Sequence, residues 1–248
     1  MATIVLIPGA GLGAWAWARV TPALRDAGHD VHPLTLTGNG DRAHLARREI
    51  DLSTWITDVV AHLECEELAD VVLVGHSYGG IVVTAAAERV PERLARLVHL
   101  DAVVPRDGES AFSHMGPEVA GILQALIDAG DGWRLPWLTD EQLDQFYGEH
   151  ALTADDLRWI RRHVTPQPVG TMREPVRLGD PRAAALPRTY VRCLGTPGER
   201  DVTPGTPGWE HAELDTGHWP MITAPQATAA LLDAIAKGAG ARALDSSG

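Results

Sequence analysis

Apolar residues fall along this chain in two kinds of run. Short runs rich in β-branched residues, at Thr3–Ile7, Val31–Leu36, Asp70–Val74, Leu94–Leu100, Thr189–Leu194 and His211–Leu214, read as strands. Between them, apolar positions at helical spacing predict helices near Trp15–Ala27, Ser53–Glu66, Ile81–Arg89 and Pro225–Lys237. The ends carry matching signals: Gly28 just beyond the first helix, Ser53 as an N-cap for the second, and Pro225 in the first turn of the last. Near-continuous apolar strands alternating with helices predict an α/β fold, a mostly parallel sheet covered on both faces.

One stretch breaks the alternation. From about Pro105 to Pro187 there are helical patches (Val119–Ala129, Thr139–Tyr147, Ala154–His163) but no buried parallel strand. Gly, Pro and Trp punctuate it, as in Gly132-Trp133, Leu135-Pro136-Trp137 and Pro166-Gln167-Pro168. Such an insertion reads as a small, mainly helical cap over the carboxyl edge of the sheet, where ligands bind in open α/β folds. The expected organisation is a core of residues 1–104 and 188–238, a cap of residues 105–187, and a flexible tail at 239–248 rich in small and polar residues.

The most informative local pattern ends the third strand. Gly75-His76-Ser77-Tyr78-Gly79 is a G-x-S-x-G turn between a buried strand and an Ala/Val-rich helix, the setting that presents a nucleophilic serine at a sharp elbow. A serine hydroxyl is a weak nucleophile, so Ser77 needs a base, an acid to orient that base, and oxyanion donors. In this kind of site the histidine comes late in the chain, after the last strand. Of the 11 histidines, His218 in Asp215-Thr216-Gly217-His218 holds that position. His76 neighbours the serine in sequence, but adjacent residues on an elbow point apart, and it is expected to be structural. Two aspartates compete as the acid. Asp101 ends the strand after the elbow helix, where a buried carboxylate needs a partner such as a histidine N–H. Asp201 lies one strand later in a Gly/Pro-rich loop, Gly198 to Pro204, and would be content in water. Burial favours Asp101; Asp201 stays as the alternative. For the oxyanion, one backbone N–H should come from Tyr78, directly after the nucleophile. The other should come from the loop Pro8-Gly9-Ala10-Gly11-Leu12-Gly13, with Ala10 the expected donor. That loop lacks the G-x-G-x-x-G spacing of a dinucleotide cradle.

Charge and composition narrow the partners. A formal net charge of −12, from 33 acidic and 21 basic residues, argues against nucleic acid. No run approaches the roughly 20 apolar residues that span a bilayer. Met1–Pro8 is short, lacks a basic flank and reads as a strand rather than a signal peptide. Cys65 and Cys193 have no cysteine or histidine at metal-ligand spacing, so no metal is expected; as reduced thiols they fit a cytoplasmic protein.

The elbow Val74–Gly80, the loop Ile7-Pro8-Gly9-Ala10 through Trp15, Asp41-Arg42-Ala43-His44-Leu45, and Gly217-His218 with Met221-Ile222-Thr223-Ala224-Pro225 resemble the α/β-hydrolase superfamily. The resemblance covers nearly the whole chain. It points to bacterial esterases related to the plant methylesterase and hydroxynitrile lyase group. It implies the α/β-hydrolase fold, a Ser–His–Asp triad, no metal, no organic cofactor and a small helical cap. Many bacterial relatives carry Leu-Asp where this chain has Leu100-Asp101; the plant enzymes place the acid one strand later, where Thr196 and Asp201 stand here. Plant-type lyases have Thr or Asn at the place of Gly9, and one lyase group has Lys where this chain has Trp219. Without those groups lyase chemistry lacks its tools, and Trp219 instead narrows and dries the pocket. Trp133 and Trp137 of the cap are expected to help.

The expected activity is hydrolysis of a carboxylic ester of a small, largely apolar substrate through an acyl-enzyme, by a monomer or homodimer. Lactone or carbon–carbon hydrolysis, acyl transfer in a biosynthetic pathway, and a small-molecule receptor role remain the alternatives.

Overall fold

The structure is a computed structural model. It describes residues 1–148 and 150–245, the side chains of 239–245 excepted. Six strands, β1 (Thr3–Ile7), β2 (Asp30–Pro33), β3 (Val71–His76), β4 (Leu94–Leu100) and, beyond the insertion, β7 (Arg188–Cys193) and β8 (Trp209–Leu214), form one sheet. The sheet order is β2-β1-β3-β4-β7-β8, with every pair parallel. A two-residue antiparallel ladder, β5 (Arg134–Leu135) with β6 (Gln167–Pro168), lies within the insertion.

The helices α1 (Thr21–Asp26), α2 (Leu52–Cys65), α3 (Gly79–Ala87) and α10 (Pro225–Asp245) pack on the sheet. Between β4 and β7 come α4 (Ala111–Ala129), α5 (Asp140–Tyr147), α6 (Ala154–His163) and the one-turn α7 (Gly170–Arg173) and α8 (Pro181–Ala184). A further turn, α9 (Pro220–Thr223), leads into α10.

Both faces of the sheet are covered, as the apolar strands require. One core cluster joins Val5, Ile7, Leu73 and Leu97 to Trp55 and Val59 of α2 and to Ile81 and Val82 of α3. The other joins Ile4, Leu6, Val72, Val74 and Val98 to Leu24 of α1 and Leu232 of α10.

Several element ends differ from the sequence reading for local reasons. The first helical stretch is a 3-10 turn, Ala14–Trp17, followed by α1, because Pro22 sits in the first turn of α1 and starts a new helix. The N-cap of α2 is Asp51, not Ser53: Asp51 accepts from the Thr54 backbone N–H at 2.8 Å in a reciprocal capping box. Ser53 is taken by the cap region instead, its Oγ donating to Glu174 at 2.5 Å. The expected flexible tail begins inside a helix, since α10 continues through Asp245. Alanine-rich sequence propagates a helix despite the glycines at 238 and 240. The remaining part of that tail, residues 246–248, lies outside the described residues. In the cap, α5 and α6 start on Thr139 and Thr153, each in a capping box.

Candidate active site

The carboxyl ends of β1, β3, β4 and β8 supply four loops to one place. At the end of β3 the chain turns so tightly that a Cβ on Gly75 would lie 2.5 Å from the carbonyl oxygen of Gly79, which excludes a side chain there. The turn forces Ser77 to φ +53°, a left-handed conformation that costs a serine energy and is held by its surroundings. Here the backbone N–H of Ser77 donates to Leu100 O at 3.2 Å, and its carbonyl accepts from Val103 N at 3.1 Å. Asp101, at the end of β4, is likewise left-handed at φ +44°, and its N–H donates to Val191 O at 2.7 Å. The loop after β8 carries His218.

These three side chains form a continuous hydrogen-bonded line. His218 Nε2 lies 2.9 Å from Ser77 Oγ, and His218 Nδ1 lies 2.6 Å from Asp101 Oδ2. The Asp101 side chain is only 1% exposed. Its remaining capacity is filled by the Thr196 hydroxyl at 2.7 Å, the Cys193 backbone N–H at 3.2 Å and the Arg200 guanidinium at 3.4 Å. Burial works to raise the Asp101 pKa. The hydrogen bond and charge of His218, the Thr196 hydroxyl and the Arg200 charge outweigh it, and the carboxyl is held down at about 2. These partners favour the carboxylate form of Asp101 behind the imidazole.

Asp201 does not approach His218. Its carboxylate accepts from the Val104 backbone N–H at 3.1 Å and lies 3.3 Å from His114 Nε2, where α4 meets the core. Thr196 meets the histidine line through Asp101 rather than contacting the imidazole itself.

The rings around His218 come from both cap and core. Tyr147, the last residue of α5, stacks on the imidazole with centroids 4.5 Å apart and planes at 23°. Trp219 meets it edge-on at 5.0 Å. His76 reaches the same residue from the elbow: its Nε2 donates to the His218 carbonyl at 2.7 Å. Burial, then the neighbouring His218, lower the His76 pKa to about 3, so it is a neutral brace. Tyr147 was not anticipated, because a tyrosine ending a cap helix carries no sequence signal for stacking on a residue 71 positions later.

The cavity over Ser77 encloses about 320 Å³ and is bordered by Gly9, Ala10, Tyr78, Trp137 and Trp219 among others. In the loop after β1, Gly9 O is engaged by Leu12 N at 3.2 Å and Gly11 N by Gln167 Oε1 at 3.0 Å. Among the described residues no acceptor meets the backbone N–H of Ala10 or of Tyr78, and both residues border the cavity. Gly9 lies against the serine: a Cβ there would be 2.9 Å from both Ser77 Cβ and His76 Nδ1.

Trp133 requires a correction, because it does not border the cavity. Its ring is captured by cation–π contact with Arg134 at 4.6 Å and Arg48 at 5.9 Å. No group of three or more His, Cys, Asp or Glu side chains suited to a metal occurs among the described residues. No helix among them is long and apolar enough to cross a membrane.

Known proteins share the sequence pattern and the fold of this chain. The profile of the alpha/beta hydrolase family matches residues 4–231. A carbendazim hydrolyzing esterase from Nocardioides sp. (strain SG-4G) is 36% identical over 253 aligned residues, covering 95% of this chain and 100% of that protein. Methylesterase 2 of Arabidopsis thaliana is 25% identical, over 94% of this chain and 95% of its own. Among solved structures, an extracellular alpha/beta-hydrolase from a Paenibacillus species superposes with a TM-score of 0.82 at 24% identity. That alignment covers 94% of this chain and 98% of the other.

Proposed function

The chain belongs to the alpha/beta hydrolase family and is a carboxylic ester hydrolase, and from that premise we propose that it works through an acyl-enzyme formed on Ser77. The observation that carries the reading is the line Ser77–His218–Asp101 beneath two unengaged backbone amides. Ser77 Oγ attacks the ester carbonyl as His218 Nε2 takes its proton. Asp101 keeps the other imidazole proton on Nδ1 and faces the imidazolium that forms. The N–H groups of Ala10 and Tyr78 receive the oxyanion; one such donor is commonly worth about 10²–10³ in kcat. His218 then gives the proton to the leaving alkoxide, and the same histidine activates the water that releases the acid.

The substrate in this reading is small and largely apolar. Leu123, Leu135, Leu143, Phe146, Trp137 and Trp219 supply apolar walls, while Tyr147 and Trp219 leave the imidazole little contact with water. The test is hydrolysis of p-nitrophenyl esters from acetate to decanoate by wild type and Ser77→Ala. Turnover is expected to disappear in the variant, with a wild-type rate that peaks at short chains. Equal turnover by a folded Ser77→Ala variant would refute it.

A further inference from the structure

The cap rejoins the core along residues 165–171, and it does so on top of the oxyanion loops. The Thr165 backbone N–H donates to Gly11 O at 3.0 Å, while Gln167 Oε1 accepts from Gly11 N at 3.0 Å. Both peptide groups flanking Gly11 are thus held by the cap, and Gly11 directly follows Ala10. Gln167 is 1% exposed, and its amide nitrogen is engaged as well, donating to Thr171 Oγ1 at 2.9 Å. The Thr171 hydroxyl donates in turn to Pro168 O at 2.7 Å. Finally, the Thr171 carbonyl accepts from the Tyr78 phenol at 2.5 Å. A buried chain therefore runs from Gly11 through Gln167 to the Thr171 hydroxyl and, by way of the Thr171 backbone, to Tyr78.

The two ends of that chain are the two sides of the oxyanion hole. Resting on the reading of Ala10 and Tyr78 as its donors, we propose that Gln167 is a positioning residue that sets the separation and pitch of those two amides. A tetrahedral oxyanion sits between donors on separate loops, one following β1 and one following β3, and no hydrogen bond joins those loops directly at Ala10 and Tyr78. Gln167 takes up the Gly11 amide, while the preceding amide, that of Ala10, meets no acceptor among the described residues and borders the cavity. Through Thr171 it fixes the Tyr78 side chain, and with it the start of α3. Preorganisation of this kind acts in the transition state, where the oxyanion exists, and not on ground-state binding.

The experiment compares wild type, Gln167→Leu and Thr171→Val with p-nitrophenyl butyrate, normalised to active sites by stoichiometric phosphonylation of Ser77. Thr171 does not border the cavity, so its variant changes the brace without changing a substrate contact. Gln167→Leu should lower kcat per active site by about 10- to 100-fold, the scale of a donor misplaced by an ångström or so, with KM nearly unchanged. Thr171→Val should move in the same direction by a smaller factor. The inhibition constant of a trifluoromethyl ketone, which forms an oxyanion adduct on serine, should rise in step with the loss of kcat/KM. Unchanged kcat and inhibition constant in Gln167→Leu, or a loss carried by KM alone, would overturn the proposal. Should Gln167→Leu fail to fold, wild-type kcat and inhibition in Thr171→Val overturn it equally. If wild type lacks Ser77-dependent turnover, the oxyanion reading itself falls and the brace with it; normal turnover with unaffected brace variants removes the brace alone.

Discussion

Replacing Asp101 by asparagine changes one atom, yet the surrounding hydrogen bonds make its consequence specific. Asp101 Oδ1 faces the fixed backbone N–H of Cys193 and the Arg200 guanidinium, both donors, so the asparagine carbonyl oxygen must take that side. The amide NH₂ is then turned toward Thr196 and His218 Nδ1, where Oδ2 now accepts. Thr196 can rotate its hydroxyl and accept; His218 can adapt only by giving up its Nδ1 proton. The imidazole then carries its hydrogen on Nε2, 2.9 Å from Ser77 Oγ, and can no longer take the serine proton. Loss of the general base through the wrong tautomer is expected to lower kcat by roughly 10⁴-fold, which corresponds to about 5.4 kcal/mol. Asp201→Asn is the control, because Asp201 contacts Val104 and His114 and not His218. Both variants would be assayed for kcat and KM on p-nitrophenyl butyrate, with circular dichroism to establish folding. A larger loss in Asp201→Asn than in Asp101→Asn would refute the assignment.

Three further predictions follow from the same geometry. Trp133→Ala should leave kcat/KM close to wild type, since its ring lies between Arg134 and Arg48, whereas Trp219→Ala, which opens the edge of His218, should lower it; the reverse ranking in steady-state assays contradicts the cavity described. Gly9→Ala places a methyl group 2.9 Å from Ser77 Cβ and should reduce kcat by about 10- to 100-fold without loss of folded protein, so wild-type kcat would show that the loop yields freely. Buried His76 and His99 have their pKa lowered to about 3, chiefly by burial. Because unfolded histidine takes its proton near 6.5, the unfolded state binds more protons from there down to about pH 3. Stability present above pH 6.5 is therefore lost as pH falls through that window. Tm measured across it should fall, and less steeply in His99→Gln, a site away from Ser77; an unchanged slope rejects the role of His99.

The parts of this account that were legible in the sequence are those where a local pattern has one steric solution. The strand, the elbow glycines and Ser77 lie within ten residues, so their geometry is written locally. Leu94–Leu100 and Thr3–Ile7 match their observed strands because largely apolar runs between turn signals leave little choice of extent. Burial at the end of β4 separated Asp101 from Asp201 as the partner of a histidine, since a carboxylate in that place needs hydrogen bonds. Other features depend on where distant segments meet. Nothing local tells that Ser53 pairs with Glu174, or that Trp133 is captured by Arg48 while Trp137 reaches the cavity. Tyr147 over His218 and Gln167 beneath Gly11 are of the same kind, because the cap brings them to the site across 71 and 156 positions of sequence.

The central claim, a covalent intermediate on Ser77, is tested most directly by intact-protein and peptide mass spectrometry after rapid acid quench with p-nitrophenyl butyrate. A butyryl adduct of one equivalent is expected on the peptide containing Ser77, formed with a burst of p-nitrophenol and absent in Ser77→Ala. Turnover with no adduct on that peptide, or an adduct that persists in Ser77→Ala, would contradict it.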